Sequence, residues 1–325
     1  MGRHQLRPAL RHSGVRHGDS TAWSWTFATT KSGTFNPTIT KTGAAASWVI
    51  GGTTYVTNTP SVAVSGTTPV TLIVTDPATV TQLAINGQSI VGTLTTAQLA
   101  EFTALTNLTG HTNASLIVSG DVADLPSGLT LLYLYNTSSA LTGDVADLPS
   151  GLTQLHLYST SSSLTGNVSD LPSGLTQLYL YSTSSALTGD VADLPSGMTI
   201  LHLYSTSSTL TGDVADLPSG MLALYLHSTS SALTGGTGVG AAGLRFLLLD
   251  STGMNAAAVD ALLEYFYTNR AGYTYTGHIL NLGGSNADPT GVYQDATPPT
   301  TGLEWKYKLV EDPDAEGFEV WTITT

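Results

Sequence analysis

The sequence predicts a mainly β chain whose centre is a solenoid of stacked parallel strands. The pentapeptide DLPSG begins at Asp124 and then recurs along the chain at intervals of 23 residues. A period of that size is typical of repeat arrays, in which each unit buries its apolar face against its neighbours. Short β-rich segments precede the repeats, and a helical pattern with further β-rich segments follows them. We therefore expect a small N-terminal β-sandwich, a solenoid, and a C-terminal part made of a capping helix and a β-hairpin.

Composition and charge exclude several classes of function. The 325 residues are 41% hydrophobic and only 10% charged, with a net charge of −13. No Lys or Arg lies between Lys41 and Arg245, so the repeats lack the basic surface that phosphate backbones require, and we expect no nucleic-acid partner. Because the chain has no Cys, disulfides and thiolate metal sites are excluded. The sequence also lacks an apolar run long enough for a signal peptide or a membrane-spanning helix, so we expect no membrane span.

The first 20 residues form a basic leader. Arg3, Arg7, Arg11 and Arg16 lie among His residues, and no long apolar segment follows them. We interpret residues 1–20 as a flexible extension. The alternative is an arm that docks on an acidic surface.

Residues 21–79 predict an antiparallel β-sandwich of the immunoglobulin-like type. Runs such as WSWTF, ASWVIGG and VTLIVTD are rich in β-branched and aromatic residues, and Gly, Pro and Asn separate them. The stretch SWVIGGTTYVTNTPSVAVSGTTPVTLIVTD has a Trp, then a Gly-rich turn, then a final VTLIV strand. In this order it resembles a polycystic-kidney-disease (PKD) module. The resemblance implies a small β-sandwich that serves as a spacer.

Residues 80–282 predict the solenoid. A first coil has the spacing V-x-x-L-x-I from Val80, and later coils repeat L-x-x-L-x-L, as at Leu152, Leu155 and Leu157. Alternation along such a strand directs Leu155 and Leu157 inward and the residues between them outward. The remaining segment of each coil, DVADLPSG, contains a Pro and is too short for an α-helix, so it is expected to be extended or turn-like, with LTG as a short second strand.

The repeated motif LTQLYLYSTSSALTG resembles the leucine-rich repeats of bacterial or phage surface proteins. That family has an Asn after the L-x-x-L-x-L core, whereas this chain has Thr in the corresponding place. The resemblance implies a parallel sheet along one side of the solenoid. It also implies a ladder of hydrogen bonds between coils, made here by Thr137, Thr160, Thr183, Thr206 and Thr229.

A helical cap is predicted around residues 255–270. Asn255 is a suitable N-cap residue, and Val259, Leu262 and Phe266 share one face at helical spacing. A last strand, HILNLGG, is expected after the helix.

Residues 283–325 are predicted as a C-terminal tail. Its two β-rich runs surround the turn-forming segment EDPDAEG, which favours a β-hairpin. The tail is similar to the C-terminal ends of phage tail-fibre proteins that carry leucine-rich repeats.

Stacked copies of one coil place equivalent residues in columns that rise by about 4.8 Å per strand. The outward positions of the repeated strand are aromatic, so two columns of Tyr and His are expected on the sheet face. Such rings stabilise a sheet through contacts between strands. They also suit a contact surface, because Tyr is rigid and amphipathic and packs on sugar rings while its hydroxyl forms hydrogen bonds. The candidate binding residues are Tyr133, Tyr135, His156, Tyr158, Tyr179, Tyr181, His202, Tyr204, Tyr225 and His227.

Two further columns are acidic. Asp147 precedes LPSG, where its carboxylate is expected to accept a hydrogen bond from the backbone N–H of Ser150 or Gly151. Calcium is the alternative, because it prefers carboxylate and carbonyl oxygens, and no other cofactor is expected. Paired carboxylates also occur in glycosidases, but every coil offers the same pair and catalysis needs one unequal pair. The candidate calcium ligands are Asp144, Asp147, Asp190 and Asp193.

Together these patterns predict a non-enzymatic recognition or adhesion protein of a phage fibre or bacterial surface, located on a virion surface or outside the cell. Its expected partner is a cell-surface glycan or protein, bound through the Tyr and His columns. The alternative is a structural subunit whose copies assemble into a fibre or filament. A third hypothesis, a polysaccharide-cleaving enzyme, is disfavoured because the sequence lacks GxSxG, HExxH and Walker motifs.

Overall fold

The computed structural model describes residues 22–135, 137–158, 161–181, 184–204, 207–227, 229–235, 240–273, 278–311 and 322–325, with only the backbone of Tyr158. Across these residues the chain is mainly β, and two sheets of eleven strands each dominate the fold. Their inward side chains form one continuous hydrophobic core. The predicted solenoid with parallel strands is therefore confirmed. The leader, residues 1–20, lies outside the described residues.

Short antiparallel strands precede the repeats. They are β1 (Trp23–Thr29), β2 (Gly33–Phe35), β3 (Thr38–Lys41), β4 (Ser47–Ile50), β5 (Thr53–Val56), β6 (Val62–Val64) and β7 (Thr68–Val74). Strands β5, β4, β7 and β1 lie side by side in one sheet, and β2 pairs with β6. The side chains of Trp25, Phe35 and Trp48 are almost completely buried among these strands, which explains why the aromatic runs of the sequence form strands here.

Each repeated coil contributes one strand to each of two sheets, as the L-x-x-L-x-L and LTG segments predict. The first sheet contains β8 (Val80–Ala84), β10 (Asn107–Thr109), β12 (Leu131–Tyr135), β14 (Gln154–Tyr158), β16 (Gln177–Tyr181), β18 (Ile200–Tyr204) and β20 (Ala223–His227). The second sheet contains β9 (Ile90–Thr95), β11 (Leu116–Asp121), β13 (Ala140–Asp144), β15 (Ser163–Asn167), β17 (Ala186–Asp190), β19 (Thr209–Asp213) and β21 (Ala232–Thr234). A short helix, α1 (Thr96–Leu99), follows β9.

The two sheets differ in register. In the first sheet Leu155 pairs with Leu178, which is 23 residues later, so equivalent residues of successive coils lie side by side. In the second sheet Thr142 pairs with Ser163, which is 21 residues later. Because the repeat is 23 residues long, each residue there lies opposite a position two residues before its equivalent in the next coil. The first sheet therefore places equivalent positions in straight columns, and the second sheet does not.

The N-terminal strands continue both sheets. Strand β1 pairs antiparallel with β9, and β3 pairs antiparallel with β8. The indole nitrogens of Trp23 and Trp25 donate hydrogen bonds to the carbonyl oxygens of Gln98 and Thr93, at 2.9 and 2.8 Å. The sheets and the core thus run across residue 80 without a linker, and these strands close one end of the solenoid. The division into domains at residues 79 and 282 stays a prediction.

Buried leucines and a capped turn shape each coil. Leu155 and Leu157 are 0% and 1% exposed, as predicted for the inward positions. The segment DVADLPSG contains a single 3₁₀ turn, Val145–Asp147, rather than being extended throughout. Asp144 caps this turn, because its Oδ1 accepts a hydrogen bond from the backbone N–H of Ala146 at 2.9 Å. The predicted bond from Ser150 or Gly151 to Asp147 is absent among the described residues, and in that turn the N–H of Leu152 donates to the carbonyl oxygen of Pro149.

The ladder of buried hydroxyls lies two residues after the predicted Thr positions. Thr137 and Thr229 bond the carbonyl oxygens of Leu134 and Leu226 within their own coils, and Thr160, Thr183 and Thr206 lie outside the described residues. Buried serines form a ladder between coils, because they accept hydrogen bonds from the N–H groups of the preceding coil. These pairs are Leu141 to Ser162, Leu164 to Ser185, Leu187 to Ser208 and Leu210 to Ser231, at 3.0 to 3.3 Å.

One glycine in each coil lets the second sheet approach the capping residue of the preceding coil. Gly166 has φ +119°, a conformation that residues with a Cβ rarely adopt. A Cβ at Gly166 would also collide with Oδ1 of Asp144, the atom that caps the turn of the preceding coil. The same arrangement recurs at Gly143, Gly189 and Gly212. The LTG motif therefore needs Gly for two reasons, its backbone conformation and the close approach of the neighbouring coil.

The C-terminal part contains the predicted helix and strand. Helix α2 (Ala256–Asn269) begins after Asn255, whose side chain accepts a hydrogen bond from the N–H of Ala258 at 3.0 Å. Its predicted apolar face, including Val259, Leu262, Leu263 and Phe266, is buried. The first sheet continues through the parallel strands β22 (Phe246–Leu248) and β23 (Ile279–Asn281).

The predicted C-terminal hairpin is wrong. Its first run forms helix α3 (Gly302–Val310), and its second run includes β24 (Thr322–Thr324), which pairs parallel with β23. Residues 312–317 of the predicted turn lie outside the described residues. The sequence LEWKYKL alternates apolar and polar residues as a strand does, but Glu304 accepts hydrogen bonds from the N–H groups of Thr300 and Thr301 and so starts a helix. Packing of α3 against α2 then favours the helix over the strand.

Replacement of Gly166 by Ala is expected to lower the free energy of unfolding by about 1–3 kcal/mol, because the backbone is strained and the Cβ meets the Asp144 carboxylate. The matched control is Gly174→Ala, where φ is not positive and no atom lies within 4 Å of the added Cβ. The control is expected to stay within about 1 kcal/mol of the wild type. Urea unfolding followed by circular dichroism measures both. Equal midpoints for the two variants would contradict the role of Gly166.

Candidate recognition surface

The first sheet brings the predicted aromatic residues together on its outer face. The strands β12, β14, β16, β18 and β20 pair in parallel without any shift in register, so every coil adds one residue to each column. We call these residues the aromatic strip. Its first column is Tyr133, His156, Tyr179, His202 and Tyr225, and its second column is Tyr135, Tyr158, Tyr181, Tyr204 and His227.

The rings of the first column contact one another along its length. Tyr133 and His156 stack with their ring centroids 4.1 Å apart, and His156 lies 4.3 Å from Tyr179. The centroids of His202 lie 5.8 Å from Tyr179 and 4.8 Å from Tyr225. These side chains are half-buried, because each ring is covered by its neighbours and the rest of it faces outward. The column is therefore a continuous row of ring contacts, stacked at Tyr133 and His156 and tilted further along.

Rings of the second column also contact one another, and Tyr204 and His227 are tilted at 5.9 Å. Tyr181 and Tyr204 lie parallel, with ring centroids 4.1 Å apart and planes at 9°. His111, which the sequence analysis missed, extends the column by stacking on Tyr135 at 4.7 Å and 3°. Its position could have been found by aligning LTNLTGH, residues 105–111, with LTLLYLY, residues 129–135, which matches His111 to Tyr135. Of Tyr158 the structure describes only the backbone.

Glutamines of neighbouring coils hold the first rings of the strip. The hydroxyl of Tyr133 donates a hydrogen bond to Oε1 of Gln154, and Nε2 of His156 lies 3.2 Å from Oε1 of Gln177. Each bond joins one coil to the next. Ring stacking and these bonds together restrict the rotation of the side chains before any ligand binds.

Burial favours the neutral imidazoles of His111, His156 and His202 by lowering their pKa. Burial, together with repulsion from His227, lowers the pKa of His202 to about 4. Three phenols have their pKa raised by burial, those of Tyr133, Tyr179 and Tyr225. Near neutral pH these groups of the strip therefore present protonated hydroxyls and neutral imidazoles.

A polar cluster ends the second column. Nδ1 of His227 lies 2.7 Å from Oδ1 and 2.9 Å from Oδ2 of Asp250. Nδ2 of Asn281 donates a hydrogen bond to Oδ1 of the same carboxylate at 3.3 Å. Because a carboxylate only accepts, Nδ1 of His227 carries the proton, and Asp250 fixes the orientation of the ring. Asp250 follows His227 by one repeat of 23 residues, a signal that was overlooked because the motif is degenerate in this coil.

The acidic columns do not converge into a cluster of side chains among the described residues. Oδ1 of Asp144 and of Asp190 caps the 3₁₀ turns of their own coils, at 2.9 Å from the N–H groups of Ala146 and Ala192. In the part of the chain that the structure describes, no three acidic or His side chains converge as metal ligands would. The candidate calcium residues Asp144, Asp147, Asp190 and Asp193 are thus not brought together. Among the described residues, no helix combines the length and apolar character needed to cross a bilayer.

Comparisons with known proteins give only distant likenesses. No protein-family model matches the chain, and no curated protein matches its sequence. Among solved structures, a TDR receptor is similar at a TM-score of 0.38 and 18% identity, over 59% of this chain and 32% of that one. Pollen Receptor Kinase 3 gives 0.26 and 19%, over 41% of this chain and 65% of that one. The plant peptide hormone receptor RGFR1, in complex with RGF2, gives 0.25 and 13%, over 61% and 46%.

These values are too low to transfer a function, and the chain spans about a third to two thirds of those proteins. The fold itself is a leucine-rich-repeat solenoid by its own features. The inward leucines of L-x-x-L-x-L are buried, and the strands that carry them pair in parallel in register.

Mild acid is expected to destabilise the protein through His202. Its pKa is about 4 in the folded chain, below the ordinary value of 6.5. Between these values the unfolded chain binds the proton more readily than the folded chain. The contribution of the neutral His202 to stability is therefore complete above pH 6.5 and is lost as the pH falls towards 4. Urea unfolding at pH 7 and pH 5 measures this loss. The variant His202→Gln, which does not titrate, is expected to lose less stability than the wild type, and an equal loss in both would contradict the assignment.

Proposed function

We propose that the chain is a non-enzymatic recognition protein of a phage fibre or bacterial surface, exposed on a virion or outside the cell, which binds a glycan or a protein through the aromatic strip. The observation that carries the proposal is the strip itself, two columns of Tyr and His rings in mutual contact on the outer face of the first sheet. Inward leucines already fill the core, so the rings are not needed there.

The strip is arranged before a ligand arrives. Stacked rings and the bonds of Tyr133 and His156 to glutamines hold the side chains in place. Ordered aromatic side chains lose little rotational freedom on binding, which favours affinity. Where rings stack at 4.1 Å, as Tyr181 does on Tyr204, the facing surfaces contact each other. Contacts to a ligand therefore use ring edges, hydroxyls and imidazole nitrogens more than open ring faces.

The regularity of the strip supports binding over catalysis. A catalytic site needs groups with unequal environments in one place, whereas the coils of the strip repeat the same residue types in the same register. The cluster of His227, Asp250 and Asn281 is the exception, and it lies at the end of the strip. We assign it to the positioning of His227 within the contact surface.

A structural subunit of a fibre is the second candidate. The first sheet ends at β3 on one side and at β24 on the other, and within the described residues each of these strands has one hydrogen-bonded neighbour. Exposed strand edges add strands from other chains. Head-to-tail pairing of β24 with β3 of a second copy would extend the sheet. Size-exclusion chromatography separates the candidates, because a monodisperse monomer that binds ligand supports recognition and spontaneous polymers support assembly.

The double variant Tyr181→Ser, Tyr204→Ser tests the recognition function. Truncation of central aromatic contacts commonly costs about 2 kcal/mol or more, so binding to cells, glycans or proteins is expected to weaken by about 30-fold or more. The lost ring stacking is expected to reduce the free energy of unfolding by only about 0.5–1.5 kcal/mol. Titration of the best ligand from glycan and protein arrays measures the binding.

The matched control is Thr188→Ala, Thr211→Ala, which changes two exposed side chains of the second sheet and is expected to bind as the wild type does. If the Ser variant does not fold, Tyr181→Phe, Tyr204→Phe keeps the rings and removes the hydroxyls. A folded strip variant that binds as well as this control would show that the strip is not the contact surface.

A further inference from the structure

The first column of the aromatic strip has a period of two coils. Tyr and His alternate along it, although the surrounding motif repeats in every coil. Each imidazole lies between two Tyr rings, His156 between Tyr133 and Tyr179, and His202 between Tyr179 and Tyr225. At about 4.8 Å per strand, the pattern recurs about every 9.6 Å along the stacking axis.

Packing does not account for this alternation. In the second column the sequence has Tyr in consecutive coils, from Tyr135 to Tyr204. Tyr181 and Tyr204 stack there with nearly parallel rings. Since the same sheet accommodates Tyr on Tyr, a column of Tyr alone would also fit at the first column. The imidazoles therefore indicate a role in contacts to a ligand.

The strip carries no charged residue type. The outward positions of β12, β14, β16, β18 and β20 hold Leu, Gln, Ile, Ala, Tyr and His. The turns of the same coils carry rows of Asp, including Asp147 and Asp193, which are exposed. An anionic ligand would be repelled by a chain of net charge −13. Along β12, β14, β16, β18 and β20 a cationic ligand would find no carboxylate among the outward residues, since Asp250 lies only at the end of the strip. Charge complementarity therefore favours an uncharged ligand.

The hydrogen-bonding groups of the strip match hydroxyls. A hydroxyl group both donates and accepts, and so do a phenol and a neutral imidazole. Because Oε1 of Gln177 only accepts, Nε2 of His156 carries the proton and Nδ1 is left as an acceptor. Tyr133 donates to Gln154, which leaves the lone pairs of its oxygen as acceptors. The column thus alternates phenol oxygens and imidazole nitrogens along the axis.

We propose that the aromatic strip binds a linear, uncharged, hydroxyl-rich polymer, a neutral glycan, which lies along the stacking axis and whose chemical repeat spans two coils. The proposal rests on the recognition function above and names its ligand class. The ligand runs along the axis because the two-coil pattern exists only in that direction, whereas a ligand lying across the strands would meet a single coil.

Ligand length provides the first test. The intact protein is titrated with neutral linear oligosaccharides of graded length, chosen from the best binder on an array that also holds anionic oligosaccharides and peptides. We expect neutral oligosaccharides to bind, with a Kd that falls as each added repeat reaches another pair of coils. Binding of peptides alone, preference for anionic sugars, or a Kd independent of length would overturn the proposal. Peptide binding would leave the recognition function standing, whereas that function fails if no array member binds and strip variants change nothing.

Deletion of whole coils provides the second test, with a matched control. Removal of residues 164–186 deletes one coil and brings His156 and His202 into neighbouring coils, which breaks the alternation. Removal of residues 141–186 deletes two coils and joins Tyr133 to His202, which keeps the alternation in a shorter column. Whole-unit deletions preserve the contacts between neighbouring coils, so both proteins are expected to fold, as circular dichroism and urea unfolding will show.

A ligand with a two-coil repeat and an affinity set by the number of coils predict opposite orders of affinity for the two deletion proteins. If the ligand has a two-coil repeat, the protein lacking residues 164–186 binds a long neutral oligosaccharide about tenfold more weakly than the protein lacking 141–186, although it has one more coil. If affinity follows the number of coils alone, the order is reversed and the two-coil repeat is rejected.

Discussion

Pairing of each coil with a nearly identical copy of itself is the constraint on which the structure depends. In the first sheet, equivalent residues of successive coils lie side by side in register. Every position of the repeated strand must therefore tolerate a copy of itself at about 4.8 Å. Two like charges at that distance repel by about 1 kcal/mol even in water, and by more where water is excluded. This explains why the strand uses Leu inward and Gln, Tyr and His outward.

The same constraint governs the polar groups of the coil. Ser185 and Ser208 are buried, and each accepts a backbone N–H from the preceding coil, so a small hydroxyl satisfies a group that would otherwise be buried without a partner. Gly166 leaves space for the capping carboxylate of Asp144. Carboxylates are tolerated at the turns because Asp147 and its equivalents are exposed to water. Uncharged residues on the sheet and acidic residues on the turns thus have the same cause, which is that each residue lies close to its copy in the next coil.

An array built in this way has two open ends, and different elements close them. The N-terminal strands β1 and β3 join the sheets antiparallel, which stops the parallel repeat. At the other end α2 packs against β21 and α3 packs against α2. Between these ends the rings of the strip support one another, and their burial keeps most of its imidazoles neutral. A surface that is rigid, uncharged and periodic is suited to a ligand that is itself uncharged and periodic.

The sequence by itself determined the features that depend on local pattern and on the repeat. Alternation of Leu155 and Leu157 with outward residues, the second strand in LTG, and helix α2 with its cap Asn255 were all predicted, because they follow from spacing along one segment. Only the tertiary structure decided what depends on distances between segments. It placed Ser162, two residues after the predicted Thr column, in a ladder between coils. It also displaced the pairing of the second sheet by two residues and joined Asp250 to His227. It made a helix of Gly302–Val310, whose alternating sequence fits a strand equally well, because contacts with α2 are not visible in the local pattern. The spacing of Thr301 and Glu304, which matches a capping box, was the local signal for the helix that the sequence analysis overlooked. The burial that lowers the pKa of His202 likewise arises only when the coils are stacked.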